Sequence, residues 1–214
     1  MKNRQIGALV VVAMLLSVTG TMLSVQRLSQ LGGLAPEPPV VSGFATSNQT
    51  GNVSLTINGS ISCTFGTYNI VDFGAGYVQS GQQCVLTSNG STGAGCVGLV
   101  SPSENLILEN DGNVNVTVSV YSSDDASTFL PGDASAQFQI AGINNETGSC
   151  ANLAQTAFTD VNIAPPGDTL CSSRGFKFSP ETADSLAIAV RLNFSQDVQT
   201  GAHQATLTAV CSDT

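Results

Sequence analysis

Large apolar residues alternate with small or polar ones through two stretches, V-N-V-T-V-S-V at 114–120 and L-A-I-A-V-R-L-N-F at 186–194. Successive side chains of an extended strand point to opposite faces, so a period of two marks a strand with one face buried and one wet. Val114, Val116, Val118 and Val120 form one inward face, and Leu186, Ile188, Val190, Leu192 and Phe194 form another; Asn115, Arg191 and Asn193 fall outward. The segment V-S-L-T-I-N at 53–58 repeats the pattern, with Val53, Leu55 and Ile57 inward and Asn58 outward. In Q-A-T-L-T-A-V-C at 204–211, Ala205, Leu207, Ala209 and Cys211 share one face. Further candidate strands are 60–65, 67–73, 82–87, 95–100, 136–141 and 156–163. Asp111–Gly112, between L-I-L-E-N and the valine run, is an Asp-Gly hairpin signal. Strands and turns recurring at roughly ten-residue intervals predict an all-β fold, an Ig-like or jelly-roll two-sheet antiparallel sandwich. The only helical hint beside them is S-P-E-T-A-D-S at 179–185, a single turn with Pro180 at its first position.

One N-terminal hydrophobic helix is expected to precede this domain. Residues 6–25 carry no charge, Lys2 and Arg4 come before them, and Arg27 is the first charge after. Twenty residues at ~1.5 Å each match a hydrocarbon layer of roughly 30 Å. The leading cations would keep the N-terminus inside and send the rest of the chain outward. The segment reads either as an uncleaved membrane anchor or as a signal peptide; the only cleavage context, S-V-T-G-T around Gly20, is poor. A pilin-type leader cut near Gly7 would want a Lys or Arg directly before the cut, or a Glu at the fifth position after it, and neither is there. Residues 26–43, with Pro36, Pro38 and Pro39, form an extended spacer. The folded domain is expected over 44–214.

Six cysteines, Cys63, Cys84, Cys96, Cys150, Cys171 and Cys211, all lie beyond the spacer. An even set in an exported chain reads as a disulfide framework, whose pairing sequence alone does not dictate. Cys84 and Cys96 flank a Gly- and Ser-rich loop and suit a bridge across a hairpin. Cys150 and Cys171 bracket an insertion, and Cys63 with Cys211 would tie the first core strand to the last. Zinc would want C-x-x-C clusters with partner histidines, and His203 is the sole histidine. Seven N-x-S/T sequons stand at Asn48, Asn52, Asn58, Asn89, Asn115, Asn145 and Asn193. Three of these asparagines fall on the polar face of an expected strand, where a glycan would meet solvent. Charged residues make up only 10% of the chain, so sugar would also solubilise a surface short of ion pairs.

Beyond residue 34 only Arg174, Lys177 and Arg191 stand against all fifteen carboxylates. Such a balance argues against nucleic acid and against docking on anionic lipid, both of which want a basic patch. Catalytic, metal and cofactor residues are not expected. A nucleophilic triad would rest on His203 alone, and no G-x-S-x-G motif accompanies it. Asp124, Asp125 and Asp133 are the carboxylates to consider for calcium or for glycoside hydrolysis, but no D-x-D-x-D-G pattern marks them. Isopeptide crosslinking needs lysine, and Lys177 is the only one in the exported part.

L-I-L-E-N-D-G-N-V-N-V-T-V-S-V-Y-S-S-D-D-A-S-T-F at 106–129, with its N-x-G-N-x-x-V turn, resembles a hairpin of secreted prokaryotic β-sandwiches. The ending 185–213, with its T-G-x turn at 200–202, is similar to their last two strands. Such pairs occur in archaeal cell-surface domains and in fibre subunits of the TasA/camelysin and archaeal bundling-pilus kind. The resemblance implies a structural or adhesive component of an archaeal envelope, on the outer face of the membrane or secreted. It also implies a filament alternative, in which an N-terminal strand of one copy, here within 36–58, completes the sandwich of the next. A calcium- or ligand-binding module is the remaining alternative. The partners expected are therefore the membrane, through 6–25 if uncleaved, and copies of the chain itself.

Overall fold

The computed structural model describes residues 52–178 and 182–214. The apolar segment 6–25, the spacer, Asn48 and residues 179–181 of the helical hint lie outside the described residues. The chain divides into Met1–Leu55 and a compact body, Thr56–Thr214.

The body is built of antiparallel β-structure: β1 (Cys63–Phe65), β2 (Tyr77–Val78), β3 (Gln83–Thr87), β4 (Cys96–Val97), β5 (Leu106–Asn110), β6 (Val116–Ser122), β7 (Gln137–Asn144), β8 (Thr159–Asp160), β9 (Asp168–Phe176), β10 (Ser185–Ser195) and β11 (Leu207–Ser212). One helical turn, α1 (Ala126–Phe129), is capped by Asp125, whose side chain accepts from the Thr128 amide. The larger sheet runs β1-β5-β10-β7-β8, with β3 also paired to β10; the smaller runs β11-β6-β9, and β2 pairs with β4. β10 is the axis of the larger sheet. Leu186 through Asn193 pair with β7, while on the other side β5 takes the first part of β10 and β3 the last.

Alternation explains what the two sheets bury. Leu186 and Ile188 of β10 are fully buried, with Val190, Leu192 and Phe194 nearly so, and Val116, Val118 and Val120 of β6 meet them in one core. Each such side chain contributes about 1.5–3 kcal/mol by leaving water. On the outer face of β10, Ala187 and Ala189 separate Ser185 from the polar run that begins at Arg191. Ala187 and Ala189 are buried there too, so the strand is enclosed on both faces over its first half. Arg191 lies over the Phe158 ring, 4.8 Å from its centroid, and its guanidinium donates to the Gln139 side chain.

The connections differ from the expected hairpins. β5 pairs with β1 and β10, whereas β6 pairs with β11 and β9, so Asp111–Gly112 carries the chain from one sheet to the other. The buried Asn110 organises this crossing: its Nδ2 donates to the carbonyls of Val114 and Phe176, and its Oδ1 accepts from the Gly112 amide. Gly112 is needed for close approach, since a Cβ there would lie 2.4 Å from the Ser60 carbonyl oxygen. Asn113 holds the incoming chain, accepting from the Ser60 amide and donating to the Asn58 carbonyl. The T-G-x turn likewise leads from β10 in the larger sheet to β11 in the smaller.

Two expected strands are not formed. Residues 53–58 carry no strand, and Val53, Leu55 and Ile57 are exposed rather than inward. Residues 67–73 form a loop. β9 was hidden by a bulge: Val116 and Val118 of β6 face Phe176 and Cys171, with Ser173 and Arg174 at φ 56° and 53° between. Extra residues in one strand break the period of two that makes a strand legible.

All six cysteines are paired, as Cys63–Cys211, Cys84–Cys96 and Cys150–Cys171. Cys84–Cys96 spans a tight antiparallel turn, in which Leu86 bridges Thr92 and the Gly93 amide donates to the Val85 carbonyl, while the strands that carry the two cysteines pair elsewhere, β3 with β10 and β4 with β2. Cys150–Cys171 holds the 150–153 segment against β9, which it touches at single bridges. Cys63–Cys211 links β1 to β11, edge strands of opposite sheets, across a sequence separation of 148. Because the entropy removed from the unfolded chain grows with loop length, replacing Cys63 and Cys211 by Ser should cost about 3–5 kcal/mol. The Cys84→Ser/Cys96→Ser pair should cost about 1–2 kcal/mol less than that. Urea unfolding of the three proteins side by side measures both.

Candidate functional site

The register places one end of the sandwich against the other. Cys63 pairs with Asn110, Ser185 with Glu109 and Cys211 with Val118, so the Cys63–Cys211 bridge lies toward the Asn110–Val116 crossing. Leu207 pairs with Ser122 at the far end of β6, and Phe194 with Cys84 at the far end of β10. Toward that far end the two sheets are no longer stapled, and a groove of about 880 Å³ opens between them.

The groove takes its floor from the inner face of the larger sheet, including Leu86, Phe138, Leu192 and Phe194. Its walls come from the loop after β1, residues 69–76, and from residues 195–206 leading into β11. Asp72 and His203 are the only carboxylate and imidazole among its lining residues. Asp72 accepts from the Gly74 amide, and His203 meets the Gln199 carbonyl through Nε2 at 2.8 Å. His203 thus secures a turn of the groove wall.

A second, polar cleft of about 510 Å³ lies at the crossing end, with Glu104, Glu109, Asp111, Glu146 and Asp184 in its walls. Several of these carboxylates already have structural work. Glu146 accepts from the amides of Asp184 and Ser185, and Asp111 accepts from the Thr64 hydroxyl. The three carboxylates singled out in the sequence are engaged separately. Asp125 caps α1, and hydrogen bonds from Ser127 and Thr128 lower its pKa. Asp124 accepts from the Ser123 hydroxyl. Asp133 accepts from the amide and hydroxyl of Ser135 and from the Ser195 amide, pinning the end of β10. Among the described residues no cluster of His, Cys, Asp and Glu is arranged to hold a metal ion.

The described sequon asparagines lie elsewhere than the groove. Asn52, Asn58, Asn89, Asn115 and Asn145 are exposed. Asn193 is half-buried; its Nδ2 donates to Gln137 at 3.2 Å, and its Oδ1 is buried without a partner. Sequence alternation had placed Asn193 on an outward face, but a residue on the outer face of a central strand is still enclosed by its neighbours on both sides.

Compared with family models, curated proteins and solved structures, the chain matches none.

Asp133 gives a pH test of the far end. Burial would raise its pKa, but the hydrogen bonds from Ser135 and Ser195 outweigh burial and hold it at about 2. Against an unfolded value of ~3.9, its stabilising contribution is present above about pH 4 and is lost as pH falls through about 2. Discounted for solvent screening, that contribution is on the order of 1 kcal/mol. Asp133→Asn should therefore be less stable than the wild type at pH 6, with the gap closing toward pH 2. Urea titrations at the two pH values measure this.

Proposed function

We propose that this chain is a non-catalytic structural component of a cell envelope, exported through its N-terminal apolar segment and N-glycosylated on its outward surface, of archaeal type. The single observation that carries this reading is the complete pairing of the six cysteines into three disulfides, which belong to an oxidising compartment. The exposure of five sequon asparagines supports it, as does an antiparallel all-β body whose loops are Gly- and Ser-rich. Immunogold labelling of intact cells should decorate the outer surface; label confined to the cell interior would reject the reading. Glycopeptide mapping of native material should find sugar on the exposed Asn52, Asn58, Asn89, Asn115 and Asn145 well above Asn193, which is half-buried with its Oδ1 enclosed. Bare asparagines at all five exposed positions would remove the glycoprotein part.

A second reading, a filament subunit assembled by strand exchange, is favoured by one specific observation. Val53, Leu55 and Ile57 alternate as a strand would, yet are 99%, 82% and 76% exposed. Three large apolar side chains spaced for one face of a strand, and left in water, suit a face that a partner covers. Deleting residues 36–58 should abolish filaments while the body still unfolds cooperatively. Filaments that persist after this deletion would exclude the reading.

A further inference from the structure

We propose that Asn58 is a modification site at which two fates compete, a glycan on Nδ2 or closure of a succinimide with Gly59, and that the fold favours this one Asn-Gly pair for the second reaction. The succinimide chemistry stands without the glycoprotein reading; only the competing glycan rests on it.

Three pairs in the sequence have the residues for this reaction, Asn58–Gly59, Asn89–Gly90 and Asp111–Gly112. Glycine permits it because no side chain shields the attacking amide nitrogen. Asn58 and Asn89 stand in the same tripeptide, N-G-S. A difference between them in the folded chain therefore comes from the fold.

The fold engages two of the three glycine amides. The Gly90 amide donates to the Thr87 carbonyl at 3.3 Å, in a turn closed by the Thr87 amide on the Ser91 carbonyl at 3.0 Å. The Gly112 amide donates to Asn110 Oδ1 at 3.1 Å, and a carboxylate such as that of Asp111 is a poorer electrophile than a carboxamide. An amide that is donating must give up its bond before the nitrogen can attack.

Asn58 and Gly59 are both exposed and lie outside any strand. Neither the Asn58 side chain nor the Gly59 amide is hydrogen-bonded to a described residue. The peptide group between them is engaged through its oxygen instead. Asn113 Nδ2 donates to the Asn58 carbonyl at 3.0 Å, while Asn113 Oδ1 accepts from the Ser60 amide at 2.6 Å. A donor on a peptide oxygen draws charge from the attached nitrogen and makes its N–H a better acid. Asn113 thus steadies and polarises the attacking group, as a positioning residue.

The step balances with water alone. The Gly59 nitrogen, losing its proton to hydroxide, bonds to Asn58 Cγ; the Cγ–Nδ2 bond breaks and Nδ2 leaves as ammonia. Water then opens the ring at either carbonyl, leaving aspartate or isoaspartate at position 58. Either product sets a carboxylate beside Ile57, at the end of the uncharged stretch N-V-S-L-T-I-N. A sugar on Nδ2 occupies the leaving atom and closes this route.

The experiment ages the full-length, unglycosylated chain, disulfides intact, in heavy-oxygen water at mildly alkaline pH and maps its peptides by mass spectrometry. Label should enter position 58 about ten-fold faster than position 89, the effect of one or two net hydrogen bonds. In urea, with the disulfides reduced, the two rates should converge. Equal rates in the folded chain, or a lead for Asn89, would overturn the proposal, as would a lead for Asn58 that persists unchanged in urea. Asn113→Asp keeps the oxygen for Ser60 and removes the donor on Asn58. It should slow labelling at position 58 about two-fold or more, with position 89 unaffected. An unchanged or faster rate in a variant that still unfolds cooperatively would overturn the part given to Asn113. Native chains carrying sugar on Asn58 should age without label there; label at the unglycosylated rate, or native Asn58 found bare, would overturn the competing fate alone.

Discussion

The inner face of β10 sets the problem that the rest of the molecule solves. Five large apolar side chains, Leu186 to Phe194, must be covered along the whole strand. The smaller sheet, with β6 at its centre, covers the part nearer the sheet crossing. Toward Phe194 the cover passes to loops, the stretch after β1 and the stretch before β11, and there the groove appears. Core and groove are thus two parts of one apolar surface, the first closed by strands and the second walled by irregular chain.

The disulfides follow the same division. Cys63–Cys211 closes the edge of the sandwich near the crossing, where β1 and β11 approach each other from opposite sheets. Cys84–Cys96 and Cys150–Cys171 fasten short segments, β4 and residues 150–153, that have too few ladder hydrogen bonds to stay in place by pairing alone. A domain with few ion pairs and loops rich in small polar residues gains order from covalent links.

Much of the fold was legible in the chain. Alternation marked β6 and β10 with the inward residues that the core contains, and the all-β class followed from strand spacing. The pairings that the bracketed segments suggested are the ones found, although the sequence alone did not dictate them. What misled was the reach of local signals. Asp111–Gly112 and the T-G-x turn are good hairpin residues, but whether two strands joined by a turn pair or part depends on which sheet needs each of them. Asn110 resolves the first case through bonds to Val114 and Phe176, and the latter lies 66 residues away. β9 escaped because its bulge erased the period; Asn193 faces outward as parity gave, but parity reports direction, not enclosure, and the residue is half-buried.

The sequence by itself determined which residues want water and which do not, and so the strand faces, the compartment implied by paired cysteines, and the charge-poor surface. Those properties are local, carried by each side chain and its immediate neighbours. Tertiary structure alone decided that Val53, Leu55 and Ile57, patterned like a core strand, remain uncovered, and that the apolar surface continues into an open groove beside β11. The physical reason is that burial belongs to pairs of surfaces. A strand face can announce its need for a partner, but only the assembled sheets show whether the same chain supplies one.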